Sequence, residues 1–347
     1  MSASAHRSST VLEIAAAGLC CAVGYHLGAA SCALRANMDH FQDSHFVTDT
    51  GAAIKVAPLP DADCWGSERV ARWAALAIED CLRAQHGFDA ARTALLMLAP
   101  EPERPDMAAS PYAAIITLTA RQLDLRFHGS SRILPLGRAG LAAALGLTFE
   151  LLDDGAVEQV LLVGADSLLN TAAIEHYLRD ERLMVPGNRD GFLPGEAAGA
   201  VLLRRHSPTA GRGALLIGGW SEGSETGRPD GSVPSRVQGL TAAVRAACAR
   251  AGVAPDALQF RLGDQNGEVF FAKEAANAFT RLMARGAMPE QLTLADKLGE
   301  IGSATGPAAL AWLSELMPRA DTRPGTLGVV HLANDDGLRC AVVLHQT

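Results

Sequence analysis

Aromatic residues are scarce in this sequence, and basic clusters are absent. Phe, Trp and Tyr make up 5% of the 347 residues and charged residues 20%, so a core has to be assembled from Ala, Leu and Val. The balance of charge is acidic, net −8 with a pI near 5.7. No stretch concentrates Lys and Arg, which argues against nucleic acid or an anionic membrane surface as partner. No apolar run approaches the ~20 residues of a membrane span. The seven cysteines (20, 21, 32, 64, 81, 248 and 340) have neither metal-type nor disulfide-framework spacing. Reduced thiols, a cytoplasmic setting, no metal and no cofactor are therefore expected, with Cys20 and Cys21 as buried structural thiols. An apolar stretch from Val11, preceded by His6 and Arg7, imitates a secretion signal. Glu13 interrupts it, and Leu19 stands where lipid attachment at Cys20 would need a small residue, so no targeting peptide is expected.

What is present suits a globular α/β protein: 48% hydrophobic residues, 34 glycines, and enough length for a sizeable core or two tightly packed domains. Strand-like and helical runs alternate. Strands are expected at Val11–Ala17, Thr93–Leu98, Arg132–Leu136 and Gln159–Val163, with helices near Gly28–Arg35, Glu68–Arg83, Ala113–Leu123 and Ala139–Leu152. A charged, Pro-rich loop is expected at Ala99–Pro105. After a turn at Arg204–Arg212 the order recurs in shortened form: strand Ala214–Gly218, loop Ser221–Ser235, helix Val237–Ala251, strand Leu258–Leu262, helix Lys273–Met283, a strand near Leu292, helix Pro307–Met317 and a closing hairpin. That recurrence suggests two halves, 1–204 and 205–347, packed as one unit.

The first half ends in RDGFLPGEAAGAVLLR, Arg189 to Arg204. A tight charged turn leads into Pro194-Gly195-Glu196, then a small-residue run that lets a strand lie close under other elements. This segment resembles the RDGF-x-x-GEGAG motif of β-ketoacyl-acyl carrier protein synthases, in the thiolase-like superfamily. The resemblance implies a five-layer α-β-α-β-α sandwich of two duplicated halves. It also implies a chain shortened around Ala99–Ser130 and Ala172–Asn188, regions that cap the acyl pocket and enlarge the dimer contact in that family.

Decarboxylative condensation needs a thiolate to carry the acyl group and two imidazoles to polarise the thioester and hold the enolate. By resemblance the thiolate belongs on the elbow after strand Arg132–Leu136, where a helix N-terminus lowers a cysteine pKa. Gly137 stands there, between Leu136 and Arg138. Asp264 takes the place of the histidine opening an H-G-T-G-T segment. Glu300 takes that of the K-x-x-x-G-H histidine, with Lys297 the local candidate for the lysine. The glycine-rich gate is replaced by Asn334-Asp335-Asp336-Gly337, with His331 close by in sequence. Arg138, Asp264, Glu300, Lys297 and His331 are thus the candidate residues of the former pocket. A salt bridge from Arg138 to Asp264 or Glu300 is expected to neutralise acids left there, and a structural role is expected of His331.

These substitutions point to a ketosynthase-like protein without condensing activity that acts as a binding or assembly subunit, an adaptor or scaffold. Two alternatives stand beside it: a chain-length-factor-like partner of an active synthase in fatty acid or polyketide synthesis, and an acyltransferase or hydrolase using Asp264 and Glu300 as paired carboxylates. Partners implied are a second copy or a ketosynthase-like subunit, an acyl carrier protein, or another protein client.

Overall fold

The computed structural model describes residues 11–60, 63–105, 112–155, 157–207, 214–283, 286–319 and 324–347. His6, Arg7 and positions 208–212 of the expected turn lie outside the described residues. The elements of the first half are β1 (Leu12–Cys21), α1 (Leu27–Arg35), β2 (Gln42–Val47), β3 (Ala53–Val56), α2 (Gly66–Leu82), β4 (Thr93–Ala99), α3 (Tyr112–Gln122), β5 (Arg132–Pro135), α4 (Leu141–Asp153), β6 (Gln159–Ser167), α5 (Thr171–Arg179) and β7 (Glu196–Arg205). Those of the second are β8 (Leu215–Ser224), α6 (Gln238–Ala251), β9 (Phe260–Gly263), α7 (Val269–Leu282), β10 (Glu290–Thr293), α8 (Ala295–Leu298), α9 (Thr305–Leu316), β11 (Leu327–Ala333) and β12 (Leu338–Gln346).

Strand order carries the duplication. One run reads β5-β4-β6-β7-β1 and the other β10-β9-β11-β12-β8. In each, the outer three strands pair in parallel and the inner ones antiparallel. The runs touch where Leu12–Ile14 of β1 pair with Leu215–Ile217 of β8, just before a register shift in β1. Strands buried on both faces read as continuous apolar runs, and alternate residues serve different layers. Leu95 and Met97 of β4 pack under α2 and α3 with Trp73 and Ile78, while Leu96 and Leu98 face a central layer built on α4 and α9. Val329 and Val343 pack on α6 and α7, whereas Val330 and Val342 face that same central layer. The result is the expected α-β-α-β-α sandwich.

The small-residue run of β7 has a steric reason. A side chain at Gly199 would collide with the backbone of Ala308 on α9, and one at Gly164 of β6 with Ser303. Glu196 at the start of β7 is fully buried, pairs with Arg69 of α2, and accepts bonds from the Leu59 amide (2.6 Å) and the Ser167 hydroxyl (2.8 Å). It ties α2 to the sheet.

Besides the short α8 and a β1 that runs on from Ala17 to Cys21, three features depart from the sequence reading. The β2–β3 hairpin and α5 were unassigned there. Their few apolar residues, including Phe46, Ile54, Ile174 and Tyr177, form a separate small cluster with Phe192, so tertiary contacts stabilise what local pattern does not. The loop expected from Ser221 starts later, because β8 follows its long partner β12 as far as Ser224↔Leu338. Among the described residues, no helix is long and apolar enough to cross a membrane. All seven cysteines are free thiols, and five are buried.

Candidate functional site

The elbow after β5 is built on Gly137, at φ 63° and ψ −162°, a backbone region open essentially to glycine. Its N–H donates to the Ala99 carbonyl at 2.9 Å. A Cβ at this position would lie 2.6 and 2.7 Å from the carboxylate oxygens of Glu101, so Glu101 fills the space a side chain on the elbow would use. The turn Arg138–Gly140 follows and opens into α4. Asn334 staples it: its Oδ1 accepts the Ala139 N–H and its Nδ2 donates to the Leu136 carbonyl, both at 2.8 Å.

Arg138 is buried and stands at the centre of the site. Its Nε donates to the Ala333 carbonyl at 2.5 Å and lies 3.1 Å from Asp264; Nη1 meets Glu300 at 2.5 Å; Nη2 is 3.6 Å from Asp335. Asp264 also accepts the Ala333 N–H at 2.6 Å. Glu300 accepts from the Gly302 N–H and from Asn266 Nδ2, both at 2.9 Å. Asn266 reaches on to Glu268, which Arg182 grips with two bonds, and Arg182 holds Asp335 with two more. Asp335 closes the ring back to Arg138. The RDGF segment positions this ring, since the Glu300 N–H donates to Leu193 (2.8 Å), the Gly195 N–H to Glu300 (2.9 Å), and the Phe192 N–H to Arg182 (2.9 Å).

Burial raises Glu101 to about 7 and Asp264 to about 6, in each case against the pull of Arg138. Burial also opposes the charge of Asp335, but Arg182 and Arg138 outweigh it and hold that carboxyl below its usual range. Arg138 and Arg182 are held firmly protonated, the carboxylates around them outweighing burial.

Above the ring opens a cavity of about 780 Å³, lined by Glu101, Glu103, Arg104, Arg182, Asp335 and Asp336 among others. Arg138 and Glu300 reach its wall, while Asp264 sits behind Arg138. Two of the residues assigned to the pocket from sequence are placed elsewhere. Lys297 pairs with the adjacent Asp296 and does not line the cavity. His331 points to the outer face of the sheet against Phe279, ring centroids 5.2 Å apart, because its neighbour Val330 takes the inner face. Burial and nearby Arg261 pull it down to about 3, so it is a neutral core residue. Glu101, Arg182, Asn266 and Glu268 were not singled out from sequence. Their one signal was polarity beside tight turns, and Arg182 finds Glu268 and Asp335 across 86 and 153 positions, which leaves no local pattern.

No family model matches the chain, and no curated protein matches it in sequence. Solved structures do match. The AntDE:AntF complex, a type II polyketide synthase acyl-carrier protein with its ketosynthase bound to the hexaketide, aligns with TM-score 0.78 at 11% identity, over 97% of this chain and 99% of that one. The oxazolomycin ketosynthase domain OzmH KS7 of Streptomyces albus JA3453 gives 0.77 at 17% identity, over 97% and 75%. The ishigamide ketosynthase/chain length factor gives 0.77 at 17%, over 97% and 99%. The fold is therefore the thiolase-like fold of the ketosynthases, and identities this low establish the fold alone.

Proposed function

We propose that this chain is a ketosynthase-fold protein without condensing activity that works as a binding or assembly subunit. The observation that carries this reading is the occupied elbow: Gly137 offers no nucleophile, and the Glu101 carboxyl fills the space where one would project. Asp264 and Glu300, which resemblance puts at the imidazole positions, are engaged by Arg138. As carboxylates they would repel an enolate rather than stabilise it. The same engagement leaves neither as a free base for acyl transfer or hydrolysis. The absence of condensation is tested by incubating the protein with malonyl thioesters and following decarboxylation, with no release above background expected.

The charged cavity separates the two binding roles. A methylene gains about 0.8 kcal/mol only where it exchanges water for apolar wall, and this wall is rich in carboxylates and guanidinium groups. That favours an adaptor over a subunit that shapes an acyl tunnel. The likeness to a ketosynthase/chain length factor supports the second reading, a partner of an active synthase. Strand β5, at the sheet edge and paired with β4 alone, is the surface we assign to a second copy or a ketosynthase-like subunit, since an exposed edge strand invites pairing. Light scattering at micromolar concentration should show a dimer. A monomer would exclude the homodimer and leave a heterodimer, which pull-down with mass spectrometry identifies, together with any acyl carrier protein or other client. The free thiols and the absence of a membrane-spanning helix among the described residues support a cytoplasmic setting.

A further inference from the structure

The strands themselves define a local two-fold between the halves. Leu12, Glu13 and Ile14 of β1 pair with Ile217, Leu216 and Leu215 of β8, which carries β1 onto β8 with Glu13 over Leu216. The bulges agree with this register. Ala15 is skipped where β1 pairs with β7, and its counterpart Gly218 is skipped where β8 pairs with β12. Ala17 therefore corresponds to Trp220.

Beside each strand lie the C-terminal ends of two helices, α6 and α4 for β8, α2 and α9 for β1. At β8 the space between them is filled. Trp220 is buried, its ring lies 6.2 Å from that of Phe149 on α4, and the Arg250 guanidinium of α6 sits 3.8 Å over its face. At β1 the corresponding place is a hollow of about 630 Å³, lined by Ala15, Ala16 and Ala17, by Cys81 and Ala84 at the end of α2, and by Ser314 on α9. Ala15–Ala17 are only half-buried, whereas Gly218–Trp220 in the second half are buried for Gly218, Gly219 and Trp220 alike. Among the described residues the hollow shares no wall with the cavity above the elbow. Its charges are matched within the chain: Glu13 with Arg204, Asp80 with Arg83, Glu315 with Arg319. No excess charge calls for an ion. Arg83 is held loosely, 3.5 Å from Asp80 with its side chain 67% exposed, and is placed on the rim as a guanidinium for the face of a ring.

We propose that the hollow beside β1 binds a small uncharged aromatic molecule, its ring against Ala17 and Cys81 and one face under Arg83. The ligand brings from outside the ring that Trp220 supplies in the other half. The volume is in the range of small-molecule sites, and exchange of water for apolar wall supplies the affinity. The site goes beyond the binding role proposed above and does not depend on it.

Calorimetric titration of the full chain with indole tests it. One saturable site with a Kd below about 1 mM is expected. Ala17→Trp puts the chain's own ring into the hollow, as at Trp220, and should abolish binding in a protein that still melts cooperatively. Should that variant fail to fold, Ala84→Trp, at an exposed position on the rim, blocks the mouth without entering the core and should weaken binding about tenfold or more. Arg83→Met should weaken it about two- to fivefold, the range of an exposed cation–π contact. No saturable binding up to about 5 mM indole, or unchanged affinity in the folded Ala17→Trp or Ala84→Trp chain, would overturn the site. Unchanged affinity in Arg83→Met would overturn the proposed orientation of the ring. Turnover of malonyl thioesters bears on the functional reading alone, and the indole titration on this site alone.

Discussion

Replacing Arg138 with methionine keeps much of the side-chain volume and removes the charge that Asp264 and Glu300 share. In the parent the guanidinium lies 3.1 Å from one carboxylate and 2.5 Å from the other, and all three groups are buried. In the variant Asp264 keeps the Ala333 amide, and Glu300 keeps the Gly302 amide and Asn266. Neither retains a counter-charge in bonding range. Breaking a buried pair from one side costs about 3–5 kcal/mol, since the remaining charge stays desolvated. With an unfolding entropy of roughly 2.1 cal/mol/K per residue over 347 residues, this lowers Tm by about 4–7 °C. The loss should depend on pH. Asp264 already sits near 6 with Arg138 beside it, and removing the cation raises it further. A carboxyl raised by folding favours the folded state below its unfolded pKa, and that benefit disappears as pH rises through the folded value. The deficit of Arg138→Met should therefore be largest near pH 8 and shrink toward pH 5. Adding Asp264→Asn and Glu300→Gln should restore most of the stability at pH 8. Differential scanning calorimetry across this range decides the matter. A variant melting within about 1 °C of the parent at pH 8, or a deficit that ignores pH, would refute the reasoning, because a desolvated acid cannot lose its cation without consequence.

Glu101→Gln should act in the opposite direction. Glu101 is raised to about 7 from an ordinary 4.5, so its charged form is disfavoured in the fold. The variant should be more stable than the parent above pH 7, by about 1–3 kcal/mol, with no gain below pH 4.5; chemical denaturation at pH 8 and pH 4 measures both ends. Gly137→Ala should destabilise by about 1–3 kcal/mol through backbone strain, with a further loss where its Cβ meets Glu101. Adding Glu101→Ala should recover the second part and leave the first, which a urea-melt comparison of single and double variants resolves. Gly137→Cys combined with Glu101→Ala should still give no condensation above background in a malonyl-thioester assay, because Asp264 and Glu300, bound to Arg138, stand where the resemblance puts the two imidazoles.

Much of the architecture was legible because it is written in long patterns. The apolar runs of β4, β6 and β11, the amphipathic α2 and α7, and the glycine stop of α6 at Gly252 each follow a periodicity or cap that operates within a few residues. The RDGF segment was legible for a different reason: α9 lies so close on β7 that Gly199 admits no side chain, and such steric demands leave little freedom in sequence. The site was readable only where motif positions could be counted, at Gly137, Arg138, Asp264 and Glu300. Glu101, Arg182, Asn266 and Glu268 depend on loops converging from three distant parts of the chain, and each looks like an ordinary polar surface residue until the fold brings them together. His331 shows the converse. Its nearness in sequence to the Asn334–Gly337 turn suggested the pocket, but the alternation of strand faces carries it to the other side of the sheet.

The central claim, that the elbow carries no acyl group, is most directly tested by intact-mass measurement of the purified chain after incubation with acyl-carrier-protein and coenzyme A thioesters. The account predicts the unmodified mass, because Gly137 has no nucleophile and Cys20, Cys21, Cys81 and Cys340 are buried thiols held well above the usual thiol range, chiefly by desolvation. A stable acyl adduct, mapped by peptide digestion to any of the seven cysteines, would contradict it.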